Sequence, residues 1–338
     1  MRFGALVRGM TVGEIVENVA GYRRSGYDSA WLTDGIGMEP LTTLAAVGLA
    51  VPGIELGTAV VRTYPRHPMA LAQQALTVNA LVGGRLALGV GPSHRPSVQE
   101  TWGLSFERPI RHVREYLSVL GPLLAGGAVS FDGETVSAHG QLHVEGGPPV
   151  PVLLGALGPQ MLRLAGRLAD GTVTFMTGPR TLRDLTCPTI HEAAARASRP
   201  RPRIVALLAL CVTGDVGAAR ARAVQVAGAM AGLPSYAAAL AREGGPALIA
   251  GTAGQVGEEL EALEQAGVTD VVPVPVARRG SEDHERTSAF LAGLLGDWPP
   301  GPVPSGRVPL RAGALVEGVD EHPEPAVVDS VEAEGDPR

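Results

Sequence analysis

The chain contains no lysine: all 28 of its basic residues are arginine. That absence excludes catalysis through a lysine Schiff base and phosphate binding by a P-loop lysine. Cysteine is almost as scarce. Cys187 and Cys211 stand far apart without a partner motif, so a disulfide framework and a Cys-x-x-Cys redox centre are excluded and two buried thiols are expected. No metal site is expected. His112 and Tyr116, one helical turn apart in RPIRHVREYL, are expected on an exposed, charged face. No run of ~18 apolar residues escapes interruption by glycine or charge, so no membrane span is expected. The opening MRFGALVRGMTVGEIVENV has neither the apolar stretch nor the cleavage site of a secretory signal, which points to a cytoplasmic protein. No basic patch invites nucleic acid.

What is present is a large apolar content, 45% of 338 residues, with only 4% aromatics. Such a chain can bury a sizeable core. Its charge is lopsided. Residues 297–338 carry nine acidic and three basic residues, the whole of the net −6, among many prolines and without periodicity. They are expected to be a disordered tail behind a folded domain at 1–296.

Within that domain, short apolar runs alternate eight times with helical patterns. The runs are RFGALV, SAWLTD, IELGTAVV, RLALGVG, PVLLGAL, GTVTFMT, RIVALLALCVTG and DVVPVPVA. The first is followed by Thr11-Val-Gly-Glu14, the spacing of a capping box. A hairpin is expected within VSFDGETVSAHGQLHV, residues 129–144. Continuous apolar strands joined by helices form parallel sheets covered on both faces, and eight such units predict a closed α/β (β/α)8 TIM barrel. An open dinucleotide-binding sheet would need a glycine fingerprint after its first strand, where VRGMTVGE stands instead.

In a barrel the working loops follow the strands. Two of them repeat one device in LLGALGPQMLRLAGRLADGTVTFMTGPRTL: a strand, a glycine, then proline where a helix begins. Free backbone N–H groups and the positive end of a helix dipole make such an end an anion site, and Arg180 adds a fixed charge at the second. Either Gly-Pro pair alone could merely stop a strand and start a helix. Two on neighbouring strands point to a phosphate-bearing ligand.

The segment GALGPQMLRLAGRLADGTVTFMTGP, with GYDSAWLTD, IELGTAVVRTYPRHPMALAQQALTVNALVGGRLALGVG and LIAGTAGQVGEELEALEQAGVTDVV, resembles the luciferase-like monooxygenase superfamily. The likeness is to its deazaflavin (coenzyme F420) branch, near the methylenetetrahydromethanopterin reductases. The resemblance implies a luciferase-type barrel with the coenzyme ring over the strand ends. It places Asp34 beside the ring, a bulge with a non-proline cis peptide at Ala59–Val60 behind it, and Ser93 nearby. The phosphate falls on Gly155, Ala156, Leu157, Gly158 and Pro159, with Thr177, Gly178 and Arg180 beside them.

Sugar-phosphate dehydrogenases of this branch carry a histidine after the acidic residue and a glutamate at the end of strand four; here Gly35 and Ser93-His94 stand there. The implied activity is therefore an F420-dependent reductase moving a hydride to a C=N or conjugated C=C bond of a small molecule, as in specialised metabolism or antibiotic biosynthesis. Asp34 and His94 are the catalytic candidates, His94 as proton donor, and Arg95 could bind a substrate carboxylate. A loop histidine hydrogen-bonded to backbone is the plainer alternative for His94. An FMN-dependent monooxygenase and a non-catalytic cofactor-binding barrel are the alternative functions. The resemblance also implies a homodimer through the second and third units, where PLTTLAAVGLAV and LAQQALTVNALV are apolar, a composition that fits ordinary barrel packing equally well.

Overall fold

A computed structural model describes residues 1–35 and 37–297. The acidic tail, past Asp297, lies outside the described residues. Eight parallel strands close into a barrel: β1 Arg2–Leu6, β2 Ser29–Leu32, β3 Glu55–Thr58, β4 Leu86–Gly91, β5 Val152–Gly155, β6 Gly171–Phe175, β7 Arg203–Val212 and β8 Asp270–Pro275. Each falls on one of the eight apolar runs. Closure comes from β1, which pairs with β8 through Arg2↔Asp270 and with β2 through Gly4↔Ser29. A short extra strand, Leu248–Gly251, takes the upper half of β7 as partner, beyond the point where β6 stops at Phe175.

Local signals explain the connections. Thr11 and Glu14 form the expected capping box at the first helix. Proline opens the helices Pro40–Ala50, Pro68–Leu81, Pro109–Leu124 and Pro159–Leu168, where its missing N–H costs nothing. The expected hairpin forms from Ala128–Asp132 and Ser137–Gln141. It packs on the helix Pro109–Leu124. The expected exposed face of that helix is overturned: His112 and Tyr116 are buried, His112 bonded to Thr63 Oγ1 at 3.0 Å and stacked on Tyr64. The neighbouring charge that suggested exposure, Glu115, is itself buried and accepts from the Thr135 N–H and hydroxyl. Cys187 and Cys211 are buried and unpaired, as expected. Among the described residues no helix is long and apolar enough to cross a membrane.

Inside the barrel, Trp31, Ala87, Leu153, Val173, Val205, Leu207 and Val272 form a packed core, and Leu6, Ala59, Val60 and Phe175 lie partly buried against it. The floor is ionic. At the strand starts, Arg203 donates to both oxygens of Glu55, at 2.6 and 2.9 Å, and to both of Asp270, at 3.0 and 2.6 Å. Arg2 adds an ion pair to Glu55, and the Thr269 hydroxyl one more bond to Asp270. Burial works against the Arg203 charge, but Asp270 and Glu55 outweigh it and raise its pKa.

Candidate active site

The strand ends carry the opposite character. β3 breaks at Ala59–Val60, whose peptide bond is cis, and resumes as Val61–Arg62 beside β4. The Thr58 side chain fills the break, accepting from Gly89 N and donating to Gly89 O, both at 2.8 Å. The bulge pushes Val60 toward β4 and β5. A Cβ on Gly91 would come within 2.7 Å of Val60 Cγ2, so glycine is needed there for close approach.

Val60 and Ala59 thereby form one wall of a cavity of about 290 Å³ at the mouth of the barrel. The loop after β4 forms a second wall through Ser93, in left-handed backbone at φ 64°, and His94. The loop after β5, residues 155–158, forms a third. Its helix Pro159–Leu168 starts at Gly158 with no side-chain cap. A Cβ on Gly158 would meet nothing within 4 Å, so the backbone is open to the cavity.

The roof comes from the helix Pro234–Glu243, which the sequence reading did not single out. Ser235 Oγ lies 3.2 Å from His94 Nδ1, and the Tyr236 ring rests on both His94, at 4.9 Å, and the edge of Phe175, at 5.9 Å. Burial lowers the His94 pKa and raises that of Tyr236. At the end of the same helix Arg242 donates to the Leu157 carbonyl at 2.6 Å, while its buried Nε has no partner among the described residues. A cation with a spare buried donor thus lies against the uncapped helix start.

The two Gly-Pro ends are not equivalent. At the second, the Glu243 carboxylate accepts from the N–H groups of Arg180 and Thr181 and from the Thr181 hydroxyl, at 3.1, 2.8 and 2.7 Å. A Cβ on Gly178 would sit 2.3 Å from Glu243 Cδ, so Gly178 makes room for this internal anion. Arg180 points its charge to the exposed Asp184 instead, at 3.7 Å, and Thr177 is buried with its hydroxyl on Phe175 O.

Of the two catalytic candidates, His94 lines the cavity and Asp34 does not. Asp34 is almost wholly buried, accepting from Arg62 N at 3.1 Å and Arg62 Nη2 at 2.8 Å. It ties the end of β2 to the strand that leaves the bulge. Arg95 is exposed with its guanidinium 5.3 Å over the Phe106 ring, outside the cavity.

A family model described as luciferase-like monooxygenase matches residues 2–270. A 5,10-methylenetetrahydromethanopterin reductase of Methanolobus tindarius is 30% identical over 215 residues, 62% of this chain and 65% of that protein, just short of two thirds of its length. The enzyme of the same name from Archaeoglobus fulgidus is 31% identical over 240 residues, 69% of this chain and 71% of that one. The structure of the coenzyme F420-dependent tetrahydromethanopterin reductase of Methanopyrus kandleri superposes with a TM-score of 0.67 at 23% identity, covering 86% of this chain and 97% of that one. At that identity the superposition shows a shared fold.

Proposed function

The chain belongs to the luciferase-like monooxygenase family, and from that premise we propose that it is a coenzyme F420-dependent oxidoreductase acting as a reductase on a C=N or conjugated C=C bond of a small molecule. One observation carries the reading: a single cavity joins a bulged apolar wall to an uncapped helix start flanked by an arginine with an unpartnered buried donor. A flat ring bearing a phosphate side chain matches that pairing. The names of the related reductases support it as well.

The residues fit the coenzyme as follows. Ala59 and Val60 back the ring, the loop 155–158 and the first turn of Pro159–Leu168 hold the phosphate, and Arg242 supplies the counter-charge. Gly178 serves this site indirectly, by admitting Glu243, which Thr181 binds, and so anchoring the roof helix. When bound, the coenzyme supplies the hydride. The protein's own part is to seat the acceptor beside the ring, keep water out beneath Tyr236, and deliver a proton. His94 is the proton donor in this reading. The Ser235 hydroxyl and Nδ1 share a hydrogen bond that orients the ring, and its lowered pKa makes the doubly protonated form an acid-pH species. Asp34 acts as a positioning residue, holding Arg62 and through it the bulge. We also read the protein as a homodimer, since Leu49 and Leu81, at the ends of the helices of units two and three, are exposed; sedimentation velocity tests that.

Titrating the purified protein with F420 and with FMN, and following fluorescence quenching, tests the cofactor. Micromolar or tighter binding of F420 with FMN at least tenfold weaker is the expected result. The reverse order would make the protein a flavin enzyme. Binding without consumption of reduced coenzyme, over a panel of imines and conjugated enones, would make it a carrier.

A further inference from the structure

We propose that the substrate is an apolar molecule with one acidic group, held in a second chamber beside the coenzyme cavity with its acid at Arg8; this rests on the reading of the first cavity as the coenzyme site. The chamber measures about 500 Å³, in the range of pockets that take drug-sized ligands. It shares the side chains of Phe175 and Leu207 with the coenzyme cavity, so a ligand filling it abuts whatever the first cavity holds.

Its chemistry is one-sided. The floor is the far half of the barrel mouth, β1, β7 and β8, and the roof is the stretch that includes the helix Val216–Ala227 and the turn Gly228–Gly232. No lining side chain carries a hydroxyl, amide or carboxylate. A sugar, or any other molecule rich in hydroxyls, would lose its hydration there without new hydrogen bonds. At the roof Val224, Val226 and Met230 are 58%, 53% and 40% exposed, a grouping of large apolar side chains that marks a binding surface. Met176, in left-handed backbone at φ 53°, sits in the wall, where a flexible thioether adapts to ligand shape.

The one charged group of the lining is Arg8. It is exposed, and among the described residues no carboxylate pairs with it; its charge acts on the Tyr22 phenol, whose pKa burial raises and Arg8 lowers. An apolar chamber with a single unpaired guanidinium at its edge selects an apolar acid.

Two fluorescent probes of one ring system test this on the full chain: 1-anilinonaphthalene-8-sulfonate, which carries an acid, and N-phenyl-1-naphthylamine, which does not. Both are expected to bind, with the same affinity before and after saturation with coenzyme. Arg8→Gln, an exposed change that should not disturb folding, is expected to weaken the sulfonate about fivefold and leave the neutral probe unchanged. Ala227→Trp, which fills the chamber from the roof, is expected to weaken both at least tenfold, with near-ultraviolet circular dichroism showing the variant folded. The proposal is overturned if the coenzyme displaces the probes, if Arg8→Gln affects both probes alike or neither, or if a folded Ala227→Trp binds them as before. Failure of the coenzyme to bind at all would remove the proposed function, while the titrations of coenzyme-free protein would still decide the chamber.

Discussion

The two ends of the barrel are built from the same eight strands and treat charge in opposite ways. At the strand starts the carboxylates of Glu55 and Asp270 meet arginine nitrogens inside the fold, so the buried anions are compensated, although Arg2 Nε itself has no hydrogen-bond partner among the described residues. At the strand ends the pairing is deliberately incomplete. One helix start is satisfied by Glu243, its neighbour is left open, and an arginine with a free buried donor stands beside the open one. Saturation fixes a structure, and incompleteness next to saturation makes a binding site.

Cutting into the floor should therefore show the largest effect, and on stability alone. Arg203→Met leaves Glu55 and Asp270 buried without their main partner, with Arg2 as the remaining cation. A loss of about 3–5 kcal/mol is expected in urea unfolding, since a buried charge stripped of its partner keeps its desolvation cost. Coenzyme affinity, measured at a urea-free temperature where the variant is folded, should stay within twofold. An affinity loss matching the stability loss would mean the two ends are not independent.

The mouth should respond in rate rather than in stability. Burial lowers the folded pKa of His94, so its protonated form grows as pH falls through a value below the ordinary 6.5. If that form donates the proton, the single-turnover rate rises toward acid pH and levels off below that pKa. Stability runs the other way: the unfolded chain takes up the proton first, so the His94 contribution is complete above about pH 6.5 and lost as pH falls through the folded pKa. His94→Gln should flatten the rate profile and slow turnover about a hundredfold. A profile unchanged in the variant would assign the proton to another group.

The equivalence of the two Gly-Pro ends can be broken by one atom group at each. Gly158→Asp puts a carboxylate where a Cβ meets open space, so folding should survive and coenzyme affinity should fall about thirtyfold, a loss of about 2 kcal/mol. Gly178→Ala instead collides with the Glu243 carboxylate and should cost about 1–2 kcal/mol of stability, with affinity falling only as far as the roof helix loosens. Equal affinity losses in the two variants would restore the symmetric picture.

That symmetry is what the sequence suggested, and its failure shows where local reading stops. The barrel was legible because each strand is an apolar run closed by glycine or a polar residue, and each helix has its own proline or cap; these signals lie within a few residues of the element they define. His94 and the open loop 155–158 were legible too, because they sit at strand ends, whereas the bulge at Ala59–Val60 was implied only by the family resemblance. What distinguishes Gly158 from Gly178 is Glu243, which lies 63 residues from Arg180. Nothing near residue 178 announces it. The roof helix itself runs through LPSYAAALAREGG, where alanine and glycine give no periodicity, and only the tyrosine and the Arg-Glu pair mark it. The burial of His112 and Tyr116 escaped for a related reason: three charged neighbours argued for exposure, and partners distant in sequence settled it, Thr63 and Tyr64 at His112 and Thr135 at Glu115.

The smallest effect is expected from a residue that looks as functional in sequence as any of these. Arg95 follows His94 directly, yet its guanidinium lies over Phe106 outside both chambers, in solvent. A cation over an exposed ring is worth about 0.5–1 kcal/mol, so Arg95→Gln should cost no more than that in stability. Coenzyme affinity and the KM for an acidic substrate should both stay within twofold, whereas Arg8→Gln should raise the KM for the acid alone. Measuring both variants on one acidic substrate and its amide separates the two arginines. A rise in KM confined to Arg95→Gln would move the substrate from the far half of the barrel mouth to the loop after β4, and with it the division of labour between the two chambers.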